Sequence, residues 1–203
     1  LMDRLKKASK IELTSEMTKS TILNKRDVTP TSIPALNIVL GGSLDGGIGP
    51  GLTSIIGFSK TFKSILTLLC ASAYLKRYED AVMIFYDSEM GASVDYFKAA
   101  GIDENRVLHV PISDIEQLKF DVVSQLQEIN RGDHVVIVID SIGNLASKKE
   151  IEDAIKENSV ADMSRAKALK SFGRLVTPLL NLKNIPMIAV NHVYKEMSLL
   201  TIL

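Results

Sequence analysis

The hydrophobic pattern of the chain changes period from block to block. Five short runs read as strands: "TSIIG" (53–57), the continuously apolar "AVMIFYD" (81–87), "RVLHV" (106–110), the β-branched "VVIVID" (135–140) and "PMIAVNH" (186–192). A run such as "VVIVID", β-branched throughout, suits a strand covered on both faces. Between them the spacing becomes helical. "SILTLLCASAYLKRY" (64–78) predicts a helix whose closing cations suit a helix C-terminus. Ile115, Leu118, Val122, Leu126 and Ile129 fall on one helical face, with Gly132 placed to end that helix. A helix-rich stretch runs on to about Leu182, with Pro178 as a predicted kink. Three segments have capping-box spacing: Ser9 with Glu12, Ser113 with Glu116, and Ser147 with Glu150. Strand runs separated by helical patterns predict an α/β fold, a mostly parallel twisted sheet with helices on both faces.

The first thirty residues are polar, and "TPTSIP" (29–34) breaks regularity with two prolines. The glycine-rich "GGSLDGGIGPG" (41–51) abuts an apolar strand and reads as a turn into the core. A chain of 203 residues suits one domain with a short arm. Lys+Arg and Asp+Glu are equal at 24, which excludes a global basic field. Nucleic acid would have to be held by local patches or by repeated subunits. The single Cys70 lies in an apolar helical stretch, so there is no disulfide framework. No apolar core of signal-peptide length opens the chain, and "SILTLLCASAYL" is too short to span a bilayer. The expectation is a soluble, cytoplasmic protein with no membrane partner.

"GFSKTFKS" (57–64) nearly spells the phosphate loop G-x-x-x-x-G-K-[ST], with Phe62 in place of the second glycine. Such a loop surrounds an anion with backbone N–H groups and a helix N-terminus. Lys63 would add a charge near the phosphates and Ser64 an oxygen to Mg²⁺. A glycine turn before a surface lysine would be spelled the same way. In open parallel sheets ligands bind beyond the carboxyl ends of strands. Asp87, Glu89, Asp140, Ser141, Asn191 and His192 all fall at that edge. Asp140 suits a second Mg²⁺ contact, direct or through water, or else a helix N-cap. Glu89 suits a group that polarises an attacking water, or a solvated turn acid. His192 suits a hydrogen bond to a γ-phosphate, or a structural histidine.

Together "GFSKTFKS", "IFYDSEMG", "VIDSIGNLASKKE", "SRAKALKS" and "NIPMIAVNH" resemble the RecA/Rad51 recombinases, over nearly all of residues 1–193. Phage members of that family also carry Phe before the lysine, so Phe62 reads as a feature of a lineage. The resemblance implies a RecA-type P-loop NTPase core whose fifth strand lies between those ending at Asp140 and Gly57. It implies ATP and Mg²⁺ as cofactors. Gly57, Phe58, Ser59, Lys60, Thr61, Phe62, Lys63 and Ser64 would surround the phosphates, and Tyr96 would stack on adenine. Ser64 and Asp140 would hold the metal; Glu89, Lys63 and His192 would be catalytic. For single-stranded DNA it points to the stretch from Lys148 to Lys170. Arg165 falls on a DNA-touching position, whereas Lys167 and Lys170 equally suit a solvated helix face.

The resemblance further implies head-to-tail self-association into a helical filament through a subunit-joining arm (1–34). The ATPase core would then occupy 35–193, with single-strand-binding and mediator proteins as further partners. The activity implied is a DNA-dependent ATPase that promotes strand exchange in recombination and repair. A non-catalytic nucleotide-gated assembly module and a small-molecule P-loop kinase are the alternatives. After "NHVY" the text "KEMSLLTIL" departs from the family. The expectation is therefore an atypical tail (194–203) on an incomplete core, lacking the cations that act across subunits.

Overall fold

The computed structural model describes residues 1–11, 13–22, 27–156 and 163–193. Five parallel strands form one sheet: β1 (Gly51–Gly57), β2 (Val82–Asp87), β3 (Val107–Pro111), β4 (Val135–Asp140) and β5 (Pro186–His192). Their order is β1-β5-β4-β2-β3, which places β5 between β1 and β4 as expected. Helices α3 (Lys63–Arg77), α5 (Ile115–Glu128) and α7 (Ser164–Lys183) follow β1, β3 and the shorter α6 (Lys148–Ile155). Two more short helices, α1 (Met2–Ala8) and α2 (Pro34–Gly41), lie in the N-terminal part, and α4 (Val94–Ala99) follows β2.

The period of two along each strand divides the interior into two cores. Ile84, Tyr86, Ile137, Ile139, Met187 and Ala189 face α5 and α7. Met83, Phe85, Val136, Val138 and Ile188 face α3 and α4. Four consecutive residues of β4, Val136 to Ile139, are 0% exposed, which explains its unbroken apolar run. The stripe Ile115, Leu118, Val122, Leu126 is also fully buried. Burying each such side chain stabilises the fold by about 1.5–3 kcal/mol. Cys70 lies in the α3-side core, and burial pushes its thiol up to about 12, so it behaves as a small apolar residue.

Several local expectations change. Ser9 closes α1 as its C-cap instead of opening a helix, and Glu12 lies outside the described residues. The N-cap of α5 is Asp114, not Ser113; its side chain accepts from Gln117 N at 2.8 Å. A carboxylate with the same reach simply displaces the hydroxyl by one residue. The box at Ser147 and Glu150 is complete. α5 stops at Glu128, and Gly132 (φ 111°) serves the turn beyond it. α7 runs through Pro178 as one helix of 20 residues. Helix α2 lacks a periodic stripe and was not expected. Buried Asn37 holds it, accepting from Thr31 N at 2.7 Å and donating to Thr31 O and Leu44 O. The proline-bounded segment then pairs with the glycine-rich one, Thr29 against Ile48. A Cβ on Gly47 would lie 1.9 Å from Thr29 O, so the close approach requires glycine there. Among the described residues no helix is long and apolar enough to cross a membrane. The tail at 194–203 lies outside the described residues.

Candidate nucleotide site

β1 ends at Gly57, and the loop that follows turns straight into α3. A Cβ at Gly57 would lie 2.9 Å from Thr61 Oγ1, so a side chain there would displace the Thr61 hydroxyl from its bond to Phe58 O. Phe62, the N-cap of α3, has φ 60° and ψ 18°, the left-handed conformation that glycine adopts freely. The loop therefore keeps the shape of a phosphate loop without the glycine, at a cost of roughly 1–2 kcal/mol. The Phe62 ring is 77% exposed and stays out of the turn. Phe58 O accepts from Thr61 Oγ1 at 2.7 Å and from Lys63 Nζ at 2.6 Å. Lys63 is only 6% exposed, so its ammonium is held at the start of α3 and not on the surface.

An open cavity of ≈ 540 Å³ lies over this turn, lined by Ser59 to Ser64 together with Glu89, Tyr96 and His192. Its size is ordinary for a small-molecule site. A smaller hollow of ≈ 160 Å³ adjoins it and adds Asp87 and Asp140 to Ser64, Glu89 and Tyr96. Every residue expected at the nucleotide except Gly57, Phe58 and Asp140 thus lines the larger cavity, and Asp140 lines the adjoining one.

Asp140 ends β4, and the peptide bond to Ser141 is cis. Burial holds the Asp140 carboxyl above its usual range. A hydrogen bond from Ser64 opposes that shift, the charges of Glu89 and Asp87 reinforce it, and His192 opposes it. A crowded, half-buried carboxylate beside a hydroxyl, with oxygen donors only, fits Mg²⁺. Among the described residues no group of three or more His, Cys, Asp or Glu could by itself enclose a metal.

Glu89 stands on the turn after β2. Asp87 shapes that turn, accepting from Glu89 N at 3.0 Å and Met90 N at 2.7 Å, with His109 Nε2 3.2 Å from its other oxygen. Glu89 Oε1 accepts from Asn144 Nδ2 at 2.7 Å and Ser141 Oγ at 3.1 Å, and His192 Nε2 lies 3.1 Å away. The sequence singled out Glu89 and His192 separately; the structure joins them. Gly143 lets the loop after β4 pass close to the end of β5, because a Cβ there would meet Asn191 Oδ1 at 2.7 Å and His192 N at 3.0 Å. Tyr96 borders both hollows, and burial followed by the Asp140 charge raises its phenol.

Asn144 was missed by sequence reasoning. Its only signal was its place on the carboxyl edge, four residues past Asp140. Arg165, expected at DNA, is turned toward the protein: Nε donates to Leu145 O at 2.8 Å and Nη2 to Gly143 O at 2.5 Å. Lys167 and Lys170 are exposed on α7, away from the cavity lining.

Comparison with known proteins bears on the whole chain. The RecA N-terminal domain family matches residues 5–201. The "Recombination and repair protein" of Enterobacteria phage T4 is 50% identical over 199 residues, covering 98% of this chain and 51% of that protein. "Protein RecA" of Aquifex aeolicus is 31% identical over 140 residues, 68% of this chain and 38% of that protein. "Protein RecA" of Francisella tularensis subsp. novicida is 27% identical over 176 residues, 86% of this chain and 46% of that protein. The chain thus spans about half the length of these relatives, or less. The family match spans residues 5–201, nearly the whole chain: the chain belongs to the RecA N-terminal domain family.

Proposed function

We propose that the chain is the nucleotide-binding part of an ATP-dependent recombination and repair protein. The observation that carries the proposal is the convergence of Lys63, Ser64, Glu89, Tyr96 and His192 on one cavity, with Asp140 in the hollow beside it. In this reading the backbone from Gly57 to Ser64 and the N-terminus of α3 hold the phosphates. Lys63 neutralises charge at the outer phosphates, and Tyr96 stacks on adenine. Ser64 and Asp140 hold Mg²⁺, which when bound neutralises the charge that develops on the phosphate oxygens. Glu89 orients a water and draws its proton. His192 reads the γ-phosphate from beside Glu89, 3.1 Å from its carboxylate.

The wider reading is single-stranded DNA bound by a filament of such chains. Arg165, Lys167 and Lys170 would be on the DNA side and residues 1–34 between subunits, acting in the cytoplasm with single-strand-binding and mediator proteins. Residues 35–193 form the ATPase core in this division. The test is ATP hydrolysis with and without single-stranded DNA at two salt concentrations, beside Lys63→Ala. Hydrolysis stimulated by DNA, weakened by salt and lost in Lys63→Ala is the expected result. Hydrolysis that persists in Lys63→Ala would sink the assignment of the site.

A further inference from the structure

The loop between β4 and α6 does more than connect them. Its backbone is pinned along its length. Ser141 N donates to Ser88 Oγ at 2.9 Å, and Ile142 N to Val190 O at 2.9 Å. Ile115 N donates to Ala146 O at 3.0 Å, and Ser147 Oγ is hydrogen-bonded to Ser164 Oγ on α7. Leu145 is 2% exposed. Between these anchors sits Asn144, whose side chain is exposed and makes the shortest of the contacts on Glu89 Oε1, at 2.7 Å.

An exposed amide bonded to a carboxylate that is itself 42% exposed has little holding power of its own. Its geometry must come from the backbone beneath it. That backbone is gripped on both sides of Asn144 by one guanidinium, through Gly143 O and Leu145 O. Arginine presents its donors as a rigid planar fork, so two carbonyls held by one fork are fixed relative to each other. With Asn144, Ser141 and His192 all on Oε1, no hydrogen bond among the described residues reaches Glu89 Oε2. The carboxylate is held through one oxygen.

We propose that Asn144, fixed by Arg165 through the carbonyls of Gly143 and Leu145, is a positioning residue that orients the Glu89 carboxylate. The inference rests on reading Glu89 as the group that activates water. It gives Arg165 an inward task distinct from any contact with DNA.

The test is a double-mutant cycle on DNA-free, single-turnover ATP hydrolysis, with binding of a fluorescent ATP analogue measured in parallel. Asn144→Ala is expected to lower the hydrolysis rate about tenfold, since misplacing a catalytic group costs rate, while the analogue's Kd stays within about twofold. Arg165→Gln is expected to reproduce that split. Asn144→Asp, of the same shape but repelling Glu89, is expected to be at least as damaging. In the Glu89→Gln background, Asn144→Ala should cause no further loss. Equal losses in both backgrounds, an unchanged rate in Asn144→Ala, or a loss carried by Kd would each overturn the inference while leaving the role of Glu89 standing. An unchanged rate in Glu89→Gln would instead overturn the reading on which it rests. If turnover is too slow to follow, the side-chain amide resonance of Asn144 is observed by NMR. It should move on Glu89→Gln and on Arg165→Gln, and a resonance that moves in neither overturns the inference.

Discussion

Phe62 holds a backbone conformation made for glycine, with its ring in solvent. Phe62→Gly should therefore relieve strain, partly offset by the greater freedom of glycine in the unfolded chain. The expected net gain is about 0.5–1 kcal/mol, a rise in Tm of about 1–4 °C in thermal unfolding. Asp140 illustrates the opposite conflict. Its carboxyl is raised, first by burial, so the ionised form is disfavoured in the fold. For a raised acid, stability falls as pH climbs from the ordinary value through the folded one, and the penalty then persists at neutral pH. Asp140→Asn keeps an acceptor for Ser64 and removes the charge. At pH 7 without metal it is expected to raise Tm by about 2–4 °C, the scale of roughly 1 kcal/mol in a chain of this size. If Ser64 and Asp140 hold Mg²⁺ as proposed, the same variant should weaken the magnesium dependence of nucleotide binding. A lowered Tm would show that the charge is not the burden inferred here. At this scale the placement of side chains at the cavity was legible where a polar residue followed a strand end, as at Glu89, Asp140 and His192. Asn144 was not legible, because its contact with Glu89 depends on a loop backbone that Arg165 of α7 holds at Gly143 and Leu145.

Among the elements, strands were read more faithfully than caps. All five runs became strands; the apolar runs of β2, β4 and β5 are buried in the middle of the sheet, whereas β1 and β3 are its partly exposed edges. Cap spacing is weaker information, since Ser, Asp and Thr compete for one position within a residue of each other. Asp114 won at α5, where it is buried and bonds Gln117 N. Asp114→Ala is expected to cost about 1–2 kcal/mol, the upper part of the range for a lost N-cap, with a fall in Tm of several degrees. Ser113→Ala should be nearly silent in the same measurement. Helix α2 escaped notice because a buried polar knot at Asn37 and Thr31, and not an apolar stripe, holds it in place.

For the molecule as a whole, periodicity could supply a parallel sheet but not its strand order, because one strand says nothing of its neighbours. The place of β5 between β1 and β4 came from the resemblance, and the structure agrees with it. Zero formal net charge likewise says nothing about where cations sit. Lys167 and Lys170 lie on an exposed part of α7, so any DNA contact they make should be strongly salt-dependent.

The division of each strand between two cores has a mechanical consequence. β2, β4 and β5 are a shared wall: every second side chain belongs to one core and the rest to the other. Neither core can melt while the other stands, because loosening the wall for one withdraws it from both. Far-ultraviolet and near-ultraviolet circular dichroism should lose their signals in a single coincident transition on heating. Two separated steps would show that the wall can be split. A nucleotide bound at the ends of those strands would then brace both halves of the interior at once, although it touches only their rim.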